Sequence, residues 1–346
     1  MTFRTITPQW LFVESKVGAL AIGGARARKG KWSSRTNLNS RRHPASPRSK
    51  VDRTDITLCI FLMSNSRTPY HELAGKLGLS INAVHKRIKV MIDAGIIRTF
   101  TARESLVSLK AISVWIFGRS EATHPGEIHT RLENNESTYW VANSGGGYIY
   151  VGGYLRNLSE LDSYVAFVKK EGEIGEPTVG IIPPFTSRFP DEALRPLDYQ
   201  ILASLHKDAR KPVTDVASEI RASTKTVHRR LERMMEKGLV DLSIDWYPDA
   251  SNDIVSICHI SLAKNADRTK AVSSLNQRFS QNILIEVLFS NLPNMTTLFL
   301  WTNSMKQMDD LRESIGKAEG VESVVLNVLQ IGYMFDTWRD RLLENS

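Results

Sequence analysis

Apolar residues recur with the spacing of an α-helix in the segment Ser80–Gly95. Val84, Ile88, Met91 and Ile92 fall on one helical face, so the pattern predicts a half-buried helix. The opposite face is polar and basic. The segment ends at a glycine, the residue that best accepts the positive φ of a helix C-terminal cap.

The same pattern returns 143 residues later, in Ser223–Gly238, where valine, leucine and methionine occupy the apolar positions. Aligned at this separation, the stretches that begin at Asp55 and Asp198 share eleven identities in 44 ungapped positions. The identities fall on predicted caps, turns and core positions. The chain therefore contains an internal duplication.

The residues before each repeated helix predict a helix-turn-helix. Asp55–Met63 forms a first helix with Thr54 or Asp55 as its N-cap, and Thr68-Pro69 begins a second, with the proline at the first helical position. Gly78 supplies the tight turn before the third helix, which Ser80 caps. The β-prone run that follows, Ile96–Thr101, predicts one strand of a wing.

Alternating and helical patterns follow each helix-turn-helix in the same order, β-α-β-β-α-β, which is typical of a ferredoxin-like sandwich. The first set is Leu109–Phe117, Gly126–Asn135, Tyr139–Asn143, Tyr148–Tyr154, Ser159–Glu171 and Pro177–Ile182. The second set is Ile254–Leu262, Arg268–Phe279, Ile283–Phe289, Thr296–Trp301, Met305–Ala318 and Val321–Val328.

These patterns predict an α+β chain in which two winged helix-turn-helix domains alternate with two ferredoxin-like domains. The predicted boundaries are a basic tail at 1–50, helix-turn-helix domains at 51–104 and 195–247, a linker at 183–194, and ferredoxin-like domains at 105–182 and 248–346. Prolines in the linker argue against continuous sheet or helix there.

The net charge of +8 is distributed unevenly. The first 50 residues hold 11 Lys/Arg and one acidic residue, Glu14, whereas the remainder is close to neutral. Nucleic-acid binding must therefore be argued from local clusters of charge. No apolar run reaches the roughly 20 residues of a membrane span, and two separated cysteines, Cys59 and Cys258, indicate core residues of a cytoplasmic protein.

The basic tail has three interpretations. Its composition predicts disorder, and it could add affinity for phosphates as a basic arm. An Arg-rich segment with almost no acidic residues also fits a targeting peptide. The third interpretation is that translation begins at Val51, so that the tail is upstream sequence.

A helix-turn-helix followed by this β-α-β-β-α-β order resembles the Lrp/AsnC family of feast/famine transcriptional regulators. The resemblance covers nearly all of residues 52–330, once in each half of the chain, and it implies that the ferredoxin-like domains are of the RAM type. It is carried by Asp55, Leu73, Ala74, Leu79, Ser80, Val84, Arg87, Ile88, Gly95, Ile96 and Ile97, and then by Gly147–Leu161.

The helix-turn-helix geometry predicts that the N-terminal part of each third helix enters the major groove of double-stranded DNA. The predicted contacts are Ser80, Asn82, Ala83, Lys86, Arg87 and Lys89 in the first unit, and Ser223, Lys225, Thr226, Arg229 and Arg230 in the second. For Arg87 and Arg230 a phosphate contact and an internal salt bridge are both open. For His85 and His228 a pH switch or ligand role is open, and so is the role of a partly exposed histidine that faces phosphate or packs.

The resemblance also implies dimerisation through the ferredoxin-like domains and sensing of an amino acid at the hairpin between their second and third strands. In the first half this hairpin is Ser144, Gly145, Gly146, Gly147 and Tyr148, with Tyr148 where the family commonly has an acid. The second copy, Asn291–Asn294, lacks the glycines. Because both halves lie in one chain, a single chain could form a pseudo-dimer, and self-association through the sheets is a further expectation.

No catalytic residue, metal site or cofactor is predicted. The alternative from another class is an enzyme, since siroheme decarboxylases resemble the same two-domain unit. Such enzymes carry a His-Asn-Tyr type run near the second strand, where this chain has Thr138–Asn143 (TYWVAN). A second alternative is a ligand-sensing or assembly protein whose helix-turn-helix units do not bind DNA.

Overall fold

The structure is a computed structural model that describes residues 51–184, 189–250 and 253–344. The predicted basic tail and four residues of the predicted linker lie outside the described residues.

The first helix-turn-helix has three helices and a strand: α1 (Arg53–Ser64), α2 (Tyr70–Leu77), α3 (Ile81–Asp93) and β1 (Ile97–Glu104). The predicted N-cap of α1 was wrong. Asp52 is the cap, because its carboxylate accepts from the Asp55 amide (3.0 Å) while Asp55 accepts from the Asp52 amide (3.1 Å). Pro69 precedes α2 as its N-cap instead of occupying the first helical position. Gly78 adopts φ 64° in the turn, as predicted.

The first ferredoxin-like unit confirms the predicted order, with different lengths. Its elements are β2 (Ile112–Arg119), α4 (Ile128–Leu132), β3 (Thr138–Ser144), β4 (Tyr148–Leu155), α5 (Leu161–Glu171) and β5 (Thr178–Ile182). The predicted helix Gly126–Asn135 is longer than α4, because its first turn is a 3₁₀ helix at Pro125–Glu127. The predicted strand from Leu109 begins three residues too early, because a turn with Lys110 at φ 53° precedes β2.

The second half repeats the arrangement. Its helix-turn-helix consists of α6 (Pro196–Leu205), α7 (Val213–Glu219), α8 (Thr224–Glu236) and β6 (Val240–Trp246). Its ferredoxin-like unit consists of β7 (Ile254–Leu262), α9 (Arg268–Arg278), β8 (Ile283–Leu288), β9 (Met295–Thr302), α10 (Met305–Gly316) and β10 (Val321–Met334), followed by α11 (Trp338–Arg341). In the described part of the chain, no helix is both long enough and apolar enough to cross a membrane.

The two wing strands pair with each other across the halves. β1 and β6 form an antiparallel two-stranded sheet in which Phe100 pairs with Ile244 and Thr101 with Ser243. In the duplication Phe100 is equivalent to Ser243, and Thr101 to Ile244. Exchanging the halves therefore reproduces the register, so a local twofold axis passes through the middle of this ladder.

Arg67 and Arg210, which are equivalent in the duplication, make reciprocal contacts about the same axis. Each guanidinium donates to two backbone carbonyls of the other unit. The acceptors are Ala209 (2.6 Å) and Lys211 (3.0 Å) for Arg67, and Ser66 (2.6 Å) and Thr68 (3.1 Å) for Arg210. Since Ser66 and Thr68 are equivalent to Ala209 and Lys211, the two units are related as the subunits of a twofold dimer.

The two ferredoxin-like units share one eight-stranded sheet of order β5-β2-β4-β3-β10-β7-β9-β8. β3 and β10 join the halves as an antiparallel pair, from Ser144 opposite Leu329 to Trp140 opposite Met334. β10 extends six residues beyond the predicted Val328, and this extension carries the pairing.

The outer edges of the sheet also meet, so that the sheet closes on itself. Ser290, just after β8, donates from its amide to the Ile181 carbonyl of β5 (2.8 Å). The Asn291 side chain accepts from the Ile181 amide and donates to the Val179 carbonyl, both at 2.8 Å. This carboxamide takes the place of a backbone partner at the end of β5.

Large aromatic side chains fill the space enclosed by the sheet. Trp115 lies 5.3 Å from Trp140, 5.6 Å from Phe299 and 6.2 Å from Phe289, measured between ring centroids. Gly180 of β5 gives Phe289 its room, since a Cβ built there would lie 2.3 Å from the ring. The opposite faces of the two sheet halves pack on the helices in two further cores.

The C-terminal helix α11 connects this sheet to the wings. The Trp338 indole donates to the Tyr154 carbonyl (2.8 Å), and Arg339 is paired with Asp241 of β6. Leu343 lies in the core of the second helix-turn-helix. The chain end therefore fixes the helix-turn-helix pair relative to the sheet.

Candidate DNA-binding surface

The framework of α3 is the predicted one. Ser80 caps the helix by accepting from the Ala83 amide (3.1 Å), and Val84, Ile88 and Met91 are buried against α1 and α2. This packing leaves Asn82 and Lys86 exposed on the opposite side.

α8 has an equivalent framework. Ser223 accepts from the Thr226 amide at the same 3.1 Å, and its hydroxyl lies 2.8 Å from the Thr226 hydroxyl. Val227, Leu231 and Met234 are buried. Lys225 and Arg229 are exposed, and they occupy the positions of Asn82 and Lys86.

The predicted apolar face was one residue too wide in both helices. Ile92 is 39% exposed and its equivalent Met235 is 36% exposed. At 100° per residue, Ile92 lies about 70° from the centre of the buried stripe. The short neighbouring helices do not reach that far around α3.

Arg87 and Arg230 form internal ion pairs, one of the two alternatives that the sequence leaves open. Arg87 lies 2.8 Å from the carboxylates of both Asp52 and Asp55, and Arg230 lies 2.9 Å from the fully buried Asp198. Burial raises the pKa of the Asp55 carboxyl although Arg87 opposes the shift. The conserved arrangement in both halves anchors each third helix to the first helix of its unit.

Three exposed cations on the third helices differ from the other predicted contacts. Within the described residues, Lys86, Lys225 and Arg229 form no ion pair. Lys89, by contrast, is paired with Asp93 (3.1 Å) on the same exposed helix surface. The available positive charge thus lies in the first half of each third helix.

The two equivalent histidines have local partners. The His85 ring meets the Tyr70 ring edge-on at 5.6 Å, and His228 lies 3.0 Å from the Glu232 carboxylate one turn away. Both contacts fit the packing interpretation, and the switch role stays a prediction.

The predicted effector hairpin lies at the junction of the two halves. Ser144 is buried and pairs with Leu329 of β10, and Gly146 and Gly147 both adopt φ 72°. The Gly147 carbonyl accepts from the Ser120 amide (2.8 Å). Gly145 lies in the same 3₁₀ turn, and burial raises the pKa of the Tyr148 phenol. Ligand binding at this hairpin stays a prediction.

A buried polar chain joins the halves behind this hairpin, and sequence reasoning missed it. Asn327 donates to the Tyr150 hydroxyl (2.7 Å), which lies 2.8 Å from His259 Nε2, and His259 Nδ1 lies 3.2 Å from the Thr297 hydroxyl. Phe117 stacks on the imidazole at 4.8 Å. The sequence did carry a signal for His259. Side chains alternate between the two faces of β7, which places His259 on the same buried face as Val255 and Ile257.

His206, Asp336 and Asp340 bring three possible metal-ligand atoms within 4.8 Å of one another, but cations of the chain already neutralise the carboxylates. Arg103 lies 2.5 Å from Asp340, and Lys207 lies 2.5 Å from Asp336. Burial alone would raise the pKa of Asp340, but Arg103, the Thr337 amide and His206 together outweigh it and the pKa is lowered. The group is an internal salt-bridge network.

Comparison with known proteins matches the two helix-turn-helix units separately. The family described as winged helix-turn-helix DNA-binding matches residues 51–98 and 194–241. The chain is 42% identical over 53 residues to the HTH-type transcriptional regulator LrpA of Pyrococcus horikoshii and 43% identical over 51 residues to LysM of Sulfurisphaera tokodaii. The helix-turn-helix units are similar to those of these regulators. The two matches cover 15% of this chain but only 38% and 36% of the relatives.

A longer match and a solved structure extend beyond the helix-turn-helix. An uncharacterised HTH-type transcriptional regulator of Pyrococcus horikoshii is 26% identical over 118 residues, which are 34% of this chain and 80% of that regulator. The crystal structure of the siroheme decarboxylase NirDL covers 85% of the chain and 98% of its own length, with a TM-score of 0.55 and 10% identity. At that identity the likeness establishes the fold alone.

Proposed function

We propose that the protein is a sequence-specific, double-stranded DNA-binding transcriptional regulator that reads two half-sites with α3 and α8 of a single chain. The observation that carries the proposal is the position of Lys86, Lys225 and Arg229. They are exposed cations without an ion-pair partner among the described residues, and they lie on the part of a helix-turn-helix that contacts DNA.

Three arginines of the third helices support this assignment by having structural roles. Arg87, Arg230 and Arg233 are held by carboxylates of their own units, so they position the third helices. An Arg tied to a buried carboxylate is unavailable for a phosphate unless that pair is broken, which leaves an uncompensated buried charge.

The twofold relation of the units supports reading by one chain. Dimeric helix-turn-helix proteins bind inverted half-sites because their recognition helices are related by a twofold axis, and these half-sites lie one helical turn or a multiple of it apart. Here the β1–β6 ladder and the Arg67 and Arg210 contacts supply that axis within the chain. We expect one chain to occupy both half-sites.

Modulation by an amino acid or another small effector at Ser144–Tyr148 is part of the proposal. The hairpin lies where β3 joins β10, so a ligand there would contact both halves. Self-association is also open. The aromatic faces of both sheet halves are already covered within the chain, so further association would use other surfaces.

The enzyme alternative finds less support in the sheet core. Both His259 ring nitrogens lie within hydrogen-bond distance of hydroxyl groups, and the ring is stacked on Phe117. Trp115, Trp140 and Phe299 occupy the space beside it. Titration with iron–uroporphyrin III tests the alternative: a Soret shift with release of CO2 would favour an enzyme.

The experiment for DNA binding compares the full chain with the Lys86→Ala, Arg229→Ala double variant on DNA selected from a random pool. Each cation that contacts phosphate contributes about one unit to the slope of log K against log salt. The variant should therefore lose about two units of slope while its folding is unchanged, because both side chains are exposed.

The matched control is Lys306→Ala, which removes an exposed lysine from α10 in the ferredoxin-like unit. It should leave affinity and slope unchanged. Equal slopes for the double variant and the wild type would contradict the assignment of the third helices, and failure of the pool to yield any enriched sequence would contradict the proposed function itself.

A further inference from the structure

The two third helices share a buried framework but present different side chains to DNA. The equivalent outward pairs that differ in chemistry are Ile81 and Thr224, Asn82 and Lys225, and Lys89 and Glu232. Ile81 is 52% exposed although it is aliphatic. Because Ser80 and Ser223 cap the helices with the same geometry, corresponding positions occupy corresponding places in each unit.

The first pair of outward residues in α3 suits an A·T pair. A carboxamide such as that of Asn82 can pair bidentately with adenine N6 and N7 in the major groove. An exposed aliphatic side chain such as Ile81 can contact the methyl group of thymine. Neither side chain carries charge, so neither adds to the charge-driven attraction to phosphate.

The equivalent residues in α8 suit a G·C pair. The ammonium of Lys225 can donate to guanine O6 and N7, which is among the commonest specific contacts. Thr224 offers a hydroxyl and a single methyl group, which suit either base pair, so the preference for G·C rests on Lys225. Arg229 corresponds to Lys86, so both helices keep one cation at this position, and the contrast that bears on base identity lies in the first turn.

We infer that the operator is an asymmetric inverted repeat, with an A·T pair read by Asn82 and Ile81 in one half-site and a G·C pair read by Lys225 at the equivalent position of the other. This inference rests on the proposed function. In a symmetric homodimer both half-sites are read by identical residues. The duplication within one chain removes that constraint.

The test is in vitro selection with the full chain and with the exchange variants Asn82→Lys and Lys225→Asn. The wild-type motif should have unequal arms. Lys225→Asn should shift its arm toward A·T and make the motif more symmetric, and Asn82→Lys should shift the other arm toward G·C. One bidentate base contact discriminates by about 5- to 150-fold, so exchanging that base pair in either arm should weaken wild-type binding by such a factor.

The variants lie at exposed positions, and thermal unfolding checks that they fold. The charge control is Lys317→Asn at the C-cap of α10, an exposed site in the ferredoxin-like unit, which should leave the motif unchanged. A palindromic wild-type motif, or unequal arms that the two exchange variants leave unaltered, would overturn this inference and leave DNA binding intact. No enrichment at all would instead remove the proposed function, and this inference with it.

Discussion

His259 makes the stability of the inter-half core depend on pH. Burial lowers the pKa of His259 to about 4, whereas an unfolded histidine titrates near 6.5. As the pH falls from 7 to 4, the unfolded chain binds a proton at this side chain that the folded chain excludes. The difference of about 2.5 pKa units corresponds to about 3 kcal/mol of stability, fully present above pH 6.5 and lost by about pH 4.

The hydrogen-bond chain explains why the folded state excludes the proton. Asn327 donates to the Tyr150 oxygen, so the Tyr150 hydroxyl can donate to His259 Nε2, and Nδ1–H can donate to Thr297. Protonation of Nε2 would leave the Tyr150 proton without its acceptor. Tyr148 and Tyr150 stay neutral over this range, since a phenol titrates near 10 and burial raises the pKa of both further.

The assay is urea unfolding followed by tryptophan fluorescence, at pH values between 7 and 4, on the wild type and His259→Gln. Trp115 and Trp140 lie in the affected core. Carboxylates elsewhere titrate equally in both proteins, so the difference between the two curves isolates His259. Between pH 7 and 4, the free energy of unfolding of the wild type should fall by about 3 kcal/mol more than that of the variant. Parallel curves would refute the assignment of a buried neutral histidine.

Two further predictions concern the joints between the halves. Arg67→Ala removes the hydrogen bonds to the Ala209 and Lys211 carbonyls, so thermal unfolding should show a loss of about 1.5–3 kcal/mol, whereas Lys76→Ala, at an exposed pair on α2, should cost under about 0.5 kcal/mol. Equal losses would argue against the reciprocal arginine contact. Gly180→Ala should cost about 1–3 kcal/mol by crowding Phe289, and adding Phe289→Leu should restore part of that loss. A fully stable Gly180→Ala protein would mean that β5 does not pack on this ring.

The sequence predicted the helix-turn-helix units well because their signals are local. Ser80, Gly78 and Gly95 act within one or two turns of the helices that they cap, and the apolar stripe of α3 follows from helical geometry alone. Because the pattern occurs in two copies, their alignment strengthens the prediction. The alignment also shows that Arg67 and Arg210 are equivalent, although it does not show what they contact.

The joints between the halves were beyond sequence reasoning because they join distant segments. Nothing local distinguishes β1 as the partner of β6 rather than of a strand in its own unit. β10 continues past Val328 because it pairs there with β3. In the sequence Asn291 is typical of a turn, and only the structure shows that its side chain bonds to the backbone of β5. The role of His259 also could not be predicted locally, since its hydrogen-bond partners lie 109 and 38 residues away in the sequence.

The same limit applies to the candidate DNA contacts. Period and capping place Asn82, Lys86, Lys225 and Arg229 outward, and the structure agrees. Whether Arg87 faces solvent or Asp55 depends on the packing of α3 against α1, which the helical pattern does not specify. Charge patterns alone therefore overstate the number of cations that are available to DNA.

Hydroxyl-radical footprinting of the full chain on its selected site, at a measured protein-to-DNA ratio, tests directly whether one chain reads both half-sites. We predict two protected patches about one helical turn or a multiple of it apart, produced by one chain per site. Lys86→Ala should weaken protection in one patch, and Arg229→Ala should weaken it in the other. A single patch, or a site that two chains must fill, would contradict the reading of DNA by an intrachain pseudo-dimer.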